Sequence, residues 1–122
     1  MSIEVLLVDE DSDVLEIVGT FLGQEDGFEI TSETDPERAL ELVADGDFDA
    51  VVSDYKMPRL DGVELCGAIR DRGKTVPFLL FTARERDDVI DTAMEHGVTD
   101  VVQKGTGTEQ YSVLADRIRE KI

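Results

Sequence analysis

The stretch Ala50-Val51-Val52-Ser53-Asp54-Tyr55-Lys56-Met57-Pro58-Arg59-Leu60-Asp61-Gly62 decides how this chain is read. Its short apolar run predicts a strand buried on both faces, and the Pro and Asp-Gly that follow predict a tight loop. Asp54 therefore stands where a buried strand opens into a loop, which puts a carboxylate at the rim of a sheet. Three other apolar runs stop in the same way. Val5-Leu6-Leu7-Val8 ends at Asp9-Glu10-Asp11, Phe78-Leu79-Leu80-Phe81 at Thr82, and Val101-Val102 at Gln103-Lys104. Acids, a hydroxyl and an ammonium are expected along one edge.

Helical patterns separate these runs. Ile3 to Val8 predicts the first strand, and Val14, Leu15, Ile17, Val18, Phe21 and Leu22 then recur at helical spacing behind Ser12 as N-cap. Phe28 to Ser32 predicts a second strand, and Asp35-Pro36 supplies a cap and a proline at N1 for a helix that stops at Gly46. Asp49 to Asp54 is the third strand, followed by a helix from Asp61 to about Arg70 with Leu65, Cys66 and Ile69 inward and Gly73 as its end. Pro77 to Thr82 predicts the fourth strand. Val89, Ile90, Ala93 and Met94 mark a helix closed by Gly97; Thr99 to Gln103 is the fifth strand, and Tyr111, Leu114, Ile118 and Ile122 form the last helix.

Strict β/α alternation implies parallel strands, right-handed crossovers and helices on both faces: an α/β, doubly wound, five-stranded sheet. Ligands of such sheets gather beyond the carboxyl ends of the strands, where strand order reverses. With order 2-1-3-4-5, Asp9, Asp54, Thr82 and Lys104 fall on four adjacent strands. No repeat, linker or low-complexity segment interrupts residues 1–122, so one domain is expected.

Composition narrows the function. With 41% hydrophobic and 34% charged residues the chain has the profile of a soluble globular protein, and no apolar stretch nears the ~20 residues that span a bilayer. The Met1-Ser2-Ile3 start leaves no room for a signal peptide, and the lone Cys66 excludes an intrachain disulfide, so a cytoplasmic setting is expected. The net charge of -17, from 29 acidic against 12 basic residues, argues against direct nucleic-acid binding, which needs a basic face. The acids are interleaved with periodic apolar residues, so they coat a folded surface. Such a surface suits a high-salt cytoplasm, and halophilic origin is inferred.

Carboxylates crowded at one edge repel, and a hard cation relieves them; oxygen-only donors favour Mg²⁺, which keeps coordination positions for water and phosphate oxygens. Thr82 could donate to one phosphoryl oxygen and Lys104 act as a point charge on another, with Asp54 as nucleophile.

These residues resemble a family. Leu7-Val8-Asp9-Glu10-Asp11, Asp54-Tyr55-Lys56-Met57-Pro58 with Asp61-Gly62, Thr82-Ala83 and Lys104 stand in the order and spacing of the receiver domain of two-component response regulators, and the resemblance covers essentially the whole chain. It implies the flavodoxin-like (βα)5 three-layer sandwich, with Asp54 accepting a phosphoryl group from a histidine kinase. Glu10 and Asp54, with the Lys56 backbone carbonyl, would ligate Mg²⁺, and Asp9 would act largely through metal-bound water. Thr82 and Lys104 would shift toward the acyl phosphate and rearrange the face of the fourth helix, fifth strand and fifth helix, switching a downstream output domain or protein. A phosphorylation-dependent dimer is a further state the resemblance allows. The last helix is expected to end near Ile122 with no DNA-binding module in these residues, so the chain is read as either a stand-alone regulator or a piece of a larger protein, and Lys104-Gly105-Thr106-Gly107-Thr108-Glu109-Gln110-Tyr111 resembles receivers fused to sensor kinases in halophilic archaea.

The chain also departs from that pattern. Glu10 replaces the commoner aspartate, Gly105 follows the lysine where proline is usual, and Val101 stands where the family usually has an aromatic switch residue. Lys56 and Arg84, two positions beyond Asp54 and Thr82, are long cations where the family varies its control of the hydrolytic water, and are expected to tune phosphate lifetime. A Mg²⁺-dependent phosphohydrolase with an aspartyl intermediate is the alternative, although it lacks a second acid two residues after Asp54. A phosphate-independent receiver-like module is the other. Away from the edge, His96 is read as a helix C-terminal residue, Asp61-Gly62 as structural, Cys66 and Met94 as core, Met57 as loop packing, and Tyr55 and Tyr111 as surface aromatics.

Overall fold

In the computed structural model, which describes residues 2–25 and 27–122, strands and helices alternate as the sequence predicts. Met1, the first residue of the Met1-Ser2-Ile3 start, lies outside the described residues. The elements are β1 (Ile3–Val8), α1 (Ser12–Gly23), β2 (Phe28–Glu33), α2 (Pro36–Asp45), β3 (Ala50–Ser53), α3 (Gly62–Asp71), β4 (Phe78–Thr82), α4 (Arg86–Glu95), β5 (Asp100–Gln103) and α5 (Glu109–Lys121). All strand pairs are parallel and the sheet order is β2-β1-β3-β4-β5. The doubly wound, flavodoxin-like order 2-1-3-4-5 is thus present.

Alternation along the strands divides the core into two layers. Leu6, Val8, Val51, Phe78, Leu80 and Val101 face α2, α3 and α4, whereas Val5, Leu7, Val52, Leu79, Phe81 and Val102 face α1 and α5. Both faces of the central strands are apolar because both are covered. Register then sets the edge. Val8 lies beside Ser53 and Thr82 beside Gln103, so the residues just past these strand ends emerge on one side of the sheet.

Local chemistry explains several boundaries. The Asp35 carboxylate accepts from the Glu37 amide and Pro36 opens α2, which closes at Gly46. Asp61 and Glu64 form a reciprocal capping box at the start of α3, as the structural reading of Asp61-Gly62 anticipates. Asp49 and Asp54 fall just outside β3, yet both amides still donate to β1, to the Glu4 and Val8 carbonyls at 2.8 and 2.9 Å.

Other expectations are corrected. Asp11, and not Ser12, is the N-cap of α1: its carboxylate accepts from the Asp13 and Val14 amides, and Ser12 is already helical. An N-cap needs non-helical backbone, which Asp11 has at φ -90° and ψ 107°. Met94 is 51% exposed, because α4 turns Val89 and Ala93 inward and Met94 lies about 100° further round the helix. Ile17 and Ile122 are likewise exposed, on α1 and at the end of α5. Cys66 is fully buried as expected, and burial pushes its thiol up to about 11. Among the described residues no helix is long and apolar enough to cross a membrane.

Candidate functional site

Adjacent strand ends bring Asp9 and Asp54 together, each tied down by its own loop. The Asp9 carboxylate accepts from the Asp11 amide at 2.9 Å, and the Asp54 carboxylate from the Tyr55 amide at 2.9 Å. Lys104, just beyond β5, reaches back to both: its ammonium lies 3.7 Å from Asp9 Oδ2 and 3.8 Å from Asp54 Oδ1. These separations are ion pairs longer than hydrogen bonds, so the ammonium is shared and committed to neither acid. The same ammonium lies over the Phe81 ring, with Nζ 5.5 Å from the centroid.

Thr82 completes the edge from β4. It is buried, its carbonyl accepts from the Lys104 amide at 2.7 Å, and its hydroxyl oxygen accepts from the Arg84 amide at 3.2 Å. The hydroxyl proton remains available to an acceptor. The structure therefore gathers Asp9, Asp54, Thr82 and Lys104 at one place. Burial pushes the Asp9 carboxyl above the usual carboxylate range and the Asp54 charge adds to this, while the Asp11 amide and Lys104 pull the other way. Two acids short of counter-charge, with neither imidazole nor thiol at this edge, fit a hard divalent cation such as Mg²⁺.

Glu10 and Lys56 stand outside that cluster. Glu10 is exposed and lines a hollow with Asp35, Pro58 and Arg59. Among the described residues no three Asp, Glu, His or Cys side chains converge as a cation cage. The Lys56 side chain is exposed and lies over the Tyr55 ring, its Nζ 5.1 Å from the centroid, and the Arg84 guanidinium approaches the same ring at 5.1 Å. Both cations thus flank the Asp54 loop through one aromatic ring.

Two contributors escape a reading of local pattern. A Cβ at Gly62 would press onto the Asp54 carbonyl and come within 2.6 Å of Leu80 Cδ2, so glycine is what allows α3 to start directly beneath the Asp54 loop. The Gly62 amide also donates to the Tyr55 carbonyl at 2.7 Å. Arg59 adopts φ 73°, a left-handed conformation uncommon outside glycine, in the turn leading to Asp61. The Asp-Gly pair signals a turn, but not the close approach behind it. Gly105 needs no such freedom, since a Cβ there would meet nothing within 4 Å.

A family model described as the response regulator receiver domain matches residues 5–115. The chain belongs to this family. The receiver domain is 34% identical over 110 residues to the response regulator MprA of Mycobacterium sp. (strain KMS), covering 90% of this chain and 47% of that protein. MprA of Mycobacterium tuberculosis (strain ATCC 25177 / H37Ra) is similar to the same extent, 34% over 110 residues with the same coverage. The chain spans about half the length of the curated relatives it matches. Among solved structures, the chemotaxis response regulator CheY4 of Vibrio cholerae superposes with a TM-score of 0.83 at 25% identity, over 97% of this chain and 99% of that one. The response regulator domain of Thermotoga maritima CheB reaches 0.88 at 19% identity, over 99% and 96%, a likeness of fold.

Proposed function

We propose that residues 1–122 form a single receiver domain that takes a phosphoryl group from the phosphohistidine of a histidine kinase onto Asp54. The observation that carries this reading is the Lys104 ammonium shared between Asp9 and Asp54, at 3.7 and 3.8 Å, with Thr82 on the neighbouring strand. A carboxylate oxygen of Asp54 attacks phosphorus, the P–N bond to the donor imidazole breaks, and an acyl phosphate forms. Lys104 is free to turn from the carboxylates onto a phosphoryl oxygen because it is committed to neither, and the Thr82 hydroxyl donates to another. Asp9, Glu10, Asp54 and the Lys56 carbonyl are the groups that would hold Mg²⁺, which supplies counter-charge to the acids and the transferring phosphoryl. Asp9 would act largely through metal-bound water. Water attack on the acyl phosphate returns Asp54 and releases inorganic phosphate, so the domain catalyses only its own phosphorylation and dephosphorylation.

The phosphorylated state would change the surface that α4, β5 and α5 present to an output domain or protein, or to a second copy of the chain. The acid-coated surface supports a high-salt setting without direct nucleic-acid contact, and the lone Cys66 supports a reducing, cytoplasmic one. Incubation with acetyl phosphate and Mg²⁺ followed by intact mass spectrometry tests the central claim. One phosphoryl group is expected on the parent and none on Asp54→Asn. Continuous phosphate release from varied substrates would favour a phosphohydrolase, and an unmodified parent would reject the phosphoacceptor.

A further inference from the structure

The N-terminus of α4 is held by β5 and not by a cap of its own. Glu85, in the cap position, makes no side-chain bond to the helix; instead the Arg86 amide donates to Gln103 Oε1 at 3.1 Å. The Arg86 side chain lies along the same strand, with Nε donating to the Val101 carbonyl at 2.9 Å and Nη2 to Asp100 Oδ1 at 3.0 Å. Asp100 is only 4% exposed, and its other oxygen accepts from Arg117 Nη1 of α5 at 2.7 Å. One buried carboxylate thus joins α4 to α5 across β5. The apolar anchoring of α4 is slight by comparison, with Val89 and Ala93 buried and Met94 in solvent. Val101 itself is an enclosed aliphatic side chain with no polar group to pass on a displacement.

This clamp is also wired to the functional edge. Gln103 immediately precedes Lys104, Arg86 follows Thr82 in the same short connection, and the Lys104 amide is bonded to the Thr82 carbonyl. Both groups that would engage a phosphoryl on Asp54 therefore lead to Arg86, one through the 82–86 backbone and the other through Gln103. We propose that Arg86 is a positioning residue that couples the occupancy of Asp54 to the face made by α4, β5 and α5. The inference rests on the phosphoacceptor reading of Asp54. When Lys104 and Thr82 close on the phosphoryl, the Arg86 bonds to Gln103, Val101 and Asp100 move as a set, and Asp100 carries the displacement to Arg117.

Hydrogen exchange of α4 and α5 peptides, before and after acetyl phosphate with Mg²⁺, tests this when intact mass is recorded on the same samples. The parent is expected to change exchange in both helices on phosphorylation. Arg86→Ala should reach the same phosphoryl stoichiometry, exchange α4 amides roughly tenfold faster before phosphorylation through loss of charge-assisted bonds, and lose the α5 response. Should that variant fail to fold, Arg86→Lys decides the matter: its ammonium lacks the planar fork needed to hold Asp100 and the Val101 carbonyl together, so the α5 response should again be lost. An α5 response that survives in the variant, or a phosphorylated parent with no α5 response, overturns the coupling. A parent that gains no phosphoryl mass overturns the phosphoacceptor reading itself, and the coupling with it.

Discussion

Two buried aspartates of this domain are driven in opposite directions by their neighbours. Burial alone would raise the Asp100 carboxyl, but the Arg86 and Arg117 guanidinium groups and the Val101 amide hold it below the usual carboxylate range. Asp9 has only a shared ammonium and one amide against burial and the Asp54 charge, and its carboxyl is raised. A carboxyl whose folded value lies above its unfolded value favours folding below the unfolded value and loses that contribution as pH rises through the folded one. At neutral pH, without a cation, ionised Asp9 therefore opposes folding. We expect Asp9→Asn, which keeps the acceptor for the Asp11 amide, to be more stable than the parent at pH 7. The difference should close by about pH 4. Urea titrations at both pH values in EDTA check this, and an equally or less stable variant at pH 7 rejects it. Lys56 and Arg84 bear on the chemistry of the Asp54 loop as well. Because both sit over the Tyr55 ring beside the Asp54 loop, alanine at both positions is expected to change acyl phosphate lifetime, measured by loss of phosphoryl mass over time. An unchanged lifetime would remove these cations from the chemistry.

Element boundaries depend on how strongly a cap is written into neighbouring residues. Asp61 and Glu64, three apart before an apolar turn, specify the start of α3 locally, and the structure contains both reciprocal bonds, at 2.8 and 2.9 Å. Asp61→Ala should cost about 1 kcal/mol and lower the Tm by about 4 °C, with faster exchange confined to the first turn of α3, as calorimetry and hydrogen exchange would show. Asp11-Ser12 is a less decisive signal, because either residue can cap and it is the extended backbone at Asp11 that makes it the cap. The same ambiguity governs inward faces. Ala93 and Met94 are adjacent in an apolar pattern, and only the docking of α4 on β5 selects Ala93. Arg86 adds bonds to residues 100, 101 and 103 to that docking, which no helical periodicity could announce.

The whole molecule has a net charge of -17 spread over a folded surface, so self-repulsion opposes the compact state and salt should relieve it. The screening length falls from about 10 Å at 0.1 M to about 3 Å at 1 M. We expect the Tm to rise continuously with KCl over that range in differential scanning calorimetry; a flat profile would show that the acidic coat carries no folding penalty. Local patterning was enough to give the alternation of strands and helices, the doubly wound class and the strand ends to within one residue, because run length, periodicity and turn chemistry act locally. It also placed Asp9, Asp54, Thr82 and Lys104 on one edge, since parallel strands in the order 2-1-3-4-5 leave their carboxyl ends on the same side. Tertiary contacts are what divide Lys104 between two carboxylates, let α3 begin beneath Asp54 at Gly62, and bring Arg86 and Arg117 together on Asp100. Those contacts join elements remote in sequence, and their geometry follows from packing angles and register, which no local pattern encodes.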